Sequence, residues 1–536
     1  MINLGMDFGS TYTMVSILEN GEPRTVQSSH LMFHYPSIVC YDEDKNKYFY
    51  GTSARERLGK KGIVGFRGFK MLLNEQMNPQ MLRERNYSDK HTPEFITSFF
   101  LRSVLENTLK KLGEDKIGLL VIGAPECWFQ SIRTIDARGT LRDICMDFKD
   151  IVERVELRSE PTDAAAFCVW NYEKKNKKQF DGSILVVDYG GGTLDTALVS
   201  VSHIEDKVQI KPEMLSGIGE NSDREIGKAG IAYQEAVVRK AISEALGVPE
   251  AQINTNPSFD RAVKDLEDAL ITDCELIDDT FADYVATPSQ LKDEILLSVK
   301  YNGWDVDINF AQMKQAYDET IHSELGEGEQ PYLALVGGFC NFYLVREQIQ
   351  DHFKLGGVNA RVRTLFHKED REKAIAYGAC LIANRVIDVC CVANFGIGMY
   401  IKFSNRDKVF MRYAINYGQE YIPDKIYFAR DKDGTIAPMI LTEADTFLLN
   451  FNKNPELGFP ARTKERFAAA LNKAKHDSIA VVGFSIDAAE RISVHIFNYS
   501  YEAGDDGYGN TIQPAAVIPL STFKGSFDNM VIPKKG

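Results

Sequence analysis

The stretch Leu185–Val201, LVVDYGGGTLDTALVSV, sets three glycines and a threonine between two aspartates, with apolar β-formers on both sides. The flanks read as two strands joined by a tight turn. Glycine enters the left-handed region of φ/ψ space freely, so a bare turn of this kind occurs in many sheets without a ligand. A turn stripped of side chains also lets a bulky anion approach the backbone N–H groups. A second copy bears on the choice. LGMDFGSTYTMVSIL, Leu4–Leu18, repeats the plan of apolar strand, Asp, aromatic, Gly, small hydroxyl residues and second strand. Two copies predict two related lobes, each opening with a hairpin. Facing tips of this composition would offer N–H groups and hydroxyls to a polyphosphate and carboxylates to its Mg²⁺.

Working outward, Thr92–Gly113 has helical apolar spacing with a Thr-Pro start and a Gly stop. IGLLVIGAP, from Ile117, reads as a buried strand. Gly230–Gly247 is a second long helical pattern, and PYLALVGGFCNFYLVREQIQDHF is a strand, a Gly-Gly turn and a helix. From Asn394 short strands with Gly, Asn and Pro turns take over, as in Ser478–Tyr499. The 536 residues amount to roughly three or four domains' worth of chain.

Composition narrows the function classes. A net charge of -14 argues against nucleic acid as a partner, because phosphate backbones need clustered Lys and Arg. The basic run Glu173–Lys178 reads as a solvated helix end or loop. No apolar run reaches the ~20 residues of a membrane span, and the start MINLGMDFGS lacks the features of an export signal, so no membrane partner and a cytoplasmic location are expected. The nine cysteines have no CxxC pair or His at metal-ligand spacing and read as reduced thiols. Adjacent Cys390 and Cys391 read first as small apolar residues in a connector and second as a redox pair. Neither GxxxxGK[ST], nor a GxGxxG after a strand, nor GxSxG is present.

Taken with these exclusions, the two Asp-Gly hairpins resemble the actin-like ATPase fold. Within it the chain resembles the 70-kDa heat-shock chaperone family. The first phosphate loop matches at Asp7, Gly9, Ser10, Thr11 and Tyr12, and the second at Asp188, Gly190, Gly191, Gly192, Thr193 and Asp195. Sugar kinases and filament proteins share those loops. The discriminating match is APECWFQSIR with RSEPTDAAAF, preceded by FRGFKMLL. The resemblance implies that Lys70 and Glu160 position the attacking water, with Asp188 and Thr193 completing the catalytic set. It implies that Pro125 and Arg133 relay nucleotide state to the next domain. Asp7, Asp188 and Asp195 would hold Mg²⁺ through water, and ATP or ADP would be the nucleotide. On the adenosine side it points to Gly337, Gly338, Phe339, Lys264 and Glu372. The family's small hydroxyl and stacking arginine after the Gly-Gly are replaced by Phe339, Cys340 and Asn341, which leaves adenine to stack on Phe339 or to be held loosely.

The resemblance divides the chain into an actin-like nucleotide-binding domain, two duplicated lobes around a cleft, at 1–386, a linker at 387–394, and a β-rich, sandwich-like peptide-binding domain at 395–536 without a helical lid. The leucine-rich run of the family's linker is reduced to VCCV. Ile401, Phe403, Phe447 and Leu449 are the implied peptide-pocket residues. The implied partners are a peptide or unfolded client, with a co-chaperone or nucleotide exchange factor, and the expected state is a monomer. The competing readings are a small-molecule kinase and a nucleotide-dependent scaffold or filament on the same fold.

Overall fold

The computed structural model describes residues 1–28, 32–58, 60–73, 83, 86–126, 128, 137–204 and 207–219, then 229–253, 258–259, 261–266, 295–309, 332–341, 349, 363–364, 368–393, 395–402, 409–416, 419–430, 433–436, 439–440, 447–451, 456–458, 479–487, 492–500 and 504–519. Its centre is a pair of six-stranded sheets with the same plan. In the first, β1 (Ile2–Phe8), β2 (Tyr12–Glu19) and β3 (Glu22–Thr25) form an antiparallel meander. Parallel strands β4 (Ile117–Ala124) and β5 (Val152–Ser159) are added on the open side of β1.

The second sheet repeats this with β6 (Gly182–Tyr189), β7 (Thr193–Ile204) and β8 (Lys207–Gly219) as the meander. Parallel β9 (Tyr332–Val336) and β10 (Arg363–Thr364) lie beside β6. The sequence echo between Leu4 and Leu185 is therefore an echo of topology. All eight residues of β4 are buried, as expected of a central parallel strand covered on both faces.

Helix α1 (Pro93–Leu112) is bounded by local chemistry. Thr92 Oγ1 accepts from Phe95 N–H at 3.1 Å, proline occupies the first turn, and Gly113 closes the helix at φ 68°. Its Phe100 packs on Phe69, with ring centroids 5.3 Å apart, and on Phe8 at 6.2 Å. Burying each of these rings contributes about 1.5–3 kcal/mol. A further long helix, α3 (Gly230–Leu246), ends at Gly247 with φ 64°.

Two helices tie the sheets together. Helix α2 (Glu160–Asn176) follows β5 without a loop, and its Ala164–Val169 run is fully buried between the sheets with Val121 and Val186. Helix α4 (Ala374–Ala383) is apolar nearly all round and buried. A side chain at Gly378 would run into the carbonyl of Asp163, and one at Gly5 into the backbone of Ala376 and Cys380. Glycine lets α4 touch α2 and β1 backbone to backbone.

After α4 the chain adds β11 (Ile387–Val389) to the free edge of β8, with Val208 opposite Ile387 and Ile210 opposite Val389. Next, β12 (Cys391–Val392) pairs antiparallel with β13 (Glu420–Tyr421). The rest of the described chain is mostly antiparallel strand. One sheet joins Val409–Ile415, Phe395–Lys402, Phe447–Phe451 and Glu456–Gly458. The other is built on the hairpin Ile479–Ile486 and Ile492–Asn498, with Ala516–Pro519 alongside. Ion pairs from Arg142 to Asp487 at 2.6 Å and from Lys211 to Glu420 at 3.0 Å connect these strands to the preceding part. Among the described residues no helix is long and apolar enough to cross a membrane.

Candidate functional site between the two sheets

Asp7 and Asp188 are the penultimate residues of β1 and β6, so both carboxylates sit at the carboxyl ends of the first strands of their meanders. Ligand sites in open α/β sheets form at this end. The β1–β2 turn is braced from behind. Ser37 Oγ donates to Gly9 O at 2.7 Å and Ser37 N–H to Thr11 O at 2.8 Å. The β6–β7 turn is closed by Gly190 N–H donating to Thr193 O at 2.9 Å.

The two turns face each other. A methyl group added at Gly192 would lie 2.9 Å from Ser10 Oγ and 3.4 Å from Met71. A third turn arrives beside them, because a methyl on Gly337 would lie 2.5 Å from Asp188 Oδ1. Gly337 also holds φ 84°, which a side chain would strain. Bare backbone from three segments thus lines one space.

Lys70 reaches this space from the short helix Phe69–Leu72, whose sharp entry is made at Gly68 with φ 63°. Its Nζ lies 2.5 Å from Glu160 Oε1, and the two side chains are only 3% and 6% exposed. The ammonium is flanked by the rings of Phe8 at 5.7 Å and Trp128 at 5.9 Å. Glu160 is the first residue of α2, where the positive helix end favours a carboxylate. Sequence separation between the pair is 90 residues. Burial works against the charge on Lys70, but Glu160 and then Asp7 and Asp195 outweigh it and raise its pKa.

The carboxylates outnumber this one cation. Burial, then the charge of Glu160, pushes Asp7 up to about 7, with Lys70 opposing. Burial, followed by Glu160, Asp195 and Asp7, raises Asp188 well above the usual carboxylate range. Asp195 stands opposite Asp188 across β6 and β7 and accepts from Glu126 N–H at 3.1 Å. A site crowded with buried carboxyls and bare N–H turns suits an anion that arrives with its own divalent cation. Among the described residues no group of three such side chains could chelate a metal directly.

The structure brings together Asp7, Gly9, Ser10, Thr11, Lys70, Glu160, Asp188, Gly192, Thr193, Asp195 and Gly337. Tyr12 follows the first turn, its ring edge-on to His34 at 4.4 Å. Pro125 directly follows β4, and Arg133 lies outside the described residues. Phe339 packs against Gly230 at the start of α3, 5.9 Å from the ring of Tyr189. Lys264 and Glu372 are exposed.

For the proposed peptide pocket, Ile401 lies on the strand Phe395–Lys402. Phe447 and Leu449 lie on the neighbouring strand, opposite Met399 and Ile397. Phe403 lies outside the described residues.

One site residue was missed from sequence. Asp163 is fully buried one helical turn beyond Glu160, and neither carboxyl oxygen has a hydrogen-bond partner among the described residues. Burial raises it well above the usual range, Arg158 opposes, and Glu160 and Asp7 add to the shift. An acidic residue immediately ahead of the apolar run Ala164–Val169 of α2 was the available signal.

The first part of the chain is similar to proteins of a known family. A family model described as Hsp70 protein matches residues 3–212. The chaperone protein DnaK of Mycoplasma mycoides subsp. mycoides is 29% identical over 227 residues, which cover 42% of this chain and 34% of that protein. A mitochondrial 70-kDa heat shock protein of Pisum sativum is 25% identical over 219 residues, 37% of this chain and 30% of its own length. The DnaK of Trieres chinensis is 26% identical over 219 residues, 37% and 33% of the two chains. The matched stretch spans about a third of the length of these relatives. The family model takes in both hairpin turns, Lys70 and Glu160, and over residues 3–212 the chain is similar to the Hsp70 proteins.

Proposed function

We propose that the chain binds ATP in the space between the two sheets and hydrolyses it to ADP and phosphate. In this reading nucleotide state sets the affinity of a β-rich peptide-binding domain, 395–536, for an extended peptide or unfolded client, through a linker at 387–394. The observation that carries it is the meeting of two Asp-Gly turns, Ser10 against Gly192, over the buried Lys70–Glu160 pair.

Phosphoryl transfer to water requires positioning and charge neutralisation more than covalent chemistry. Backbone N–H groups at 9–12 and 190–193, with the hydroxyls of Ser10, Thr11 and Thr193, would cradle phosphate oxygens. Lys70 would neutralise charge growing on the terminal phosphate. Glu160, held in place by Lys70, would orient the attacking water and accept a hydrogen bond from it. Asp7, Asp188 and Asp195 would hold Mg²⁺ across its water shell. When bound, that ion supplies charge neutralisation to the polyphosphate. Gly337, Gly338 and Phe339 would face the adenosine, with Lys264 and Glu372 at its rim.

Pro125 and Arg133 would pass the nucleotide state toward the linker. The partners proposed are a client peptide and a co-chaperone or exchange factor. The location proposed is cytoplasmic.

The test is phosphate release from ATP without an added acceptor, alongside anisotropy of a labelled peptide library with and without ATP. Turnover abolished by Asp188→Asn and peptide affinity that changes with ATP are expected. No turnover in the unmodified chain, or peptide binding indifferent to ATP, overturns the reading.

A further inference from the structure

The vicinal pair Cys390 and Cys391 sits where the second sheet hands over to the C-terminal strands. Cys390 N–H donates to Ile210 O at 2.9 Å, fixing it to the edge of β8. Cys391 opens β12, directly opposite Tyr421 on β13. Five other described cysteines are buried, whereas these two are partly exposed.

Their electrostatic settings differ. Arg158 Nη1 donates to Cys391 Sγ at 3.4 Å, and its Nη2 is held by Glu156 Oε2 at 3.0 Å. Glu156 is itself anchored by Arg385 at 3.2 Å. The guanidinium is therefore fixed against the sulfur by a network rather than reaching it by chance. At Cys390 burial, then the charge of Glu420, pushes the thiol up to about 11, with Lys211 opposing. A guanidinium held against the sulfur attracts anionic reagents and stabilises negative charge on the sulfur as it attacks, whereas Cys390 has burial and a carboxylate beside it instead.

We propose that Cys391 is a thiol-modification site, oxidised by peroxide and then capped by a low-molecular-weight thiol, and that its modification opens the β12–β13 junction. In the first step the Cys391 thiolate attacks one oxygen of hydrogen peroxide. An S–O bond forms, the O–O bond breaks, and the leaving hydroxide is protonated to water. The sulfur is oxidised by two electrons to the sulfenic acid and the peroxide is reduced by two. In the second step a glutathione-type thiol displaces the sulfenic hydroxyl as water and leaves a mixed disulfide. A tripeptide-sized adduct on Cys391 adds bulk and charge beside Arg158 and displaces the guanidinium from the sulfur. It sits on a pairing of only two residues, Cys391–Val392 with Glu420–Tyr421, which is the weakest link between β12 and β13 and the one the adduct would open. This inference stands independently of the ATPase reading.

The experiment alkylates the full chain at pH 7 with neutral iodoacetamide and anionic iodoacetate, and counts adducts on each cysteine by peptide mass spectrometry. Cys391 should react about tenfold faster than Cys390, and Arg158→Met should slow it by about fivefold or more, with Arg158→Lys intermediate. Equal rates at the two cysteines, or an unchanged rate in a folded Arg158→Met variant, overturn the proposal. A variant-free control covers misfolding. The iodoacetate-to-iodoacetamide rate ratio at Cys391 should be several-fold higher in the native chain than in urea, because Arg158 attracts the anion. An equal ratio overturns it. Peroxide with a small thiol should also increase protease cutting within 387–394, and Cys391→Ser should block that increase. Cutting unaffected by the treatment refutes the opening of the junction.

Discussion

Replacing Lys70 with methionine isolates what the buried pair contributes. Met preserves most of the stem's volume, so the perturbation is the loss of one charge against Glu160. The pair is 2.5 Å apart and almost fully screened from water, which removes the usual discount for exposed ion pairs. Removing one member of a buried pair costs about 3–5 kcal/mol, because the other charge is left without compensation. A cooperative unit of 150–250 residues loses about 2–4 °C per kcal/mol, so a fall in Tm of roughly 6–20 °C is expected at pH 7.5.

The sign of the pH dependence is fixed by the same argument. Asp7, already pushed up to about 7 by burial and the charge of Glu160, loses the opposing charge of Lys70 and holds its proton more tightly when folded than when unfolded. Stability then falls as pH rises above the unfolded carboxylate range, and the deficit of the variant should shrink toward pH 5. The double variant Lys70→Met/Glu160→Gln removes both charges and should recover all but about 1 kcal/mol, while phosphate release stays absent in both. Calorimetry at pH 5 and 7.5, with phosphate release measured in parallel, checks this. A double variant as unstable as the single one refutes the reasoning about the pair, and hydrolysis surviving in Lys70→Met refutes the role given to it.

Gly192→Ala should weaken ATP binding by about tenfold, or 1.4 kcal/mol, while moving Tm by no more than about 2 °C, because the added methyl meets Ser10 Oγ at the turn. Isothermal titration with Mg·ATP measures this, and unchanged affinity would show that the turns do not meet around the ligand. Asp163→Asn should leave stability unchanged near pH 4 and raise it by on the order of 2 kcal/mol at pH 8, since the raised folded-state pKa of Asp163 makes its ionisation increasingly costly as pH rises. Urea melts across that range test it, and parallel pH curves for the two proteins count against it. Gly378→Ala should cost about 1–3 kcal/mol by forcing α4 off α2, seen as a lower urea midpoint with unchanged m.

The two lobes were legible because each opens with a strand–Asp-Gly–strand pattern that local rules decode, and the helices ending at Gly113 and Gly247 carry their own stop signals. The pairing of Lys70 with Glu160 spans 90 residues and came only through family resemblance, since no periodicity encodes such a contact. Asp163 was passed over because its chemistry arises from where α2 is buried, a property of tertiary packing. Phe339 was read toward adenine from its place after the Gly-Gly turn. The structure shows its contact with Gly230, a glycine over a hundred positions away. Cys390 and Cys391 read as connector because the cation beside Cys391 comes from β5, far off in sequence.

The three residues of β11 have a further consequence as an edge guard. Without them β8 would present a row of unpaired backbone groups along a long strand, the kind of template on which other chains polymerise. The cover is a parallel pairing of three residues, Ile387–Val389, against Val208–Ile210 at the start of the thirteen-residue β8. Any event that peels this strand away therefore exposes a self-association surface at the same moment that it frees the C-terminal strands. Turbidity that rises with protein concentration whenever residues 387–389 are displaced is the macroscopic sign of that exposure.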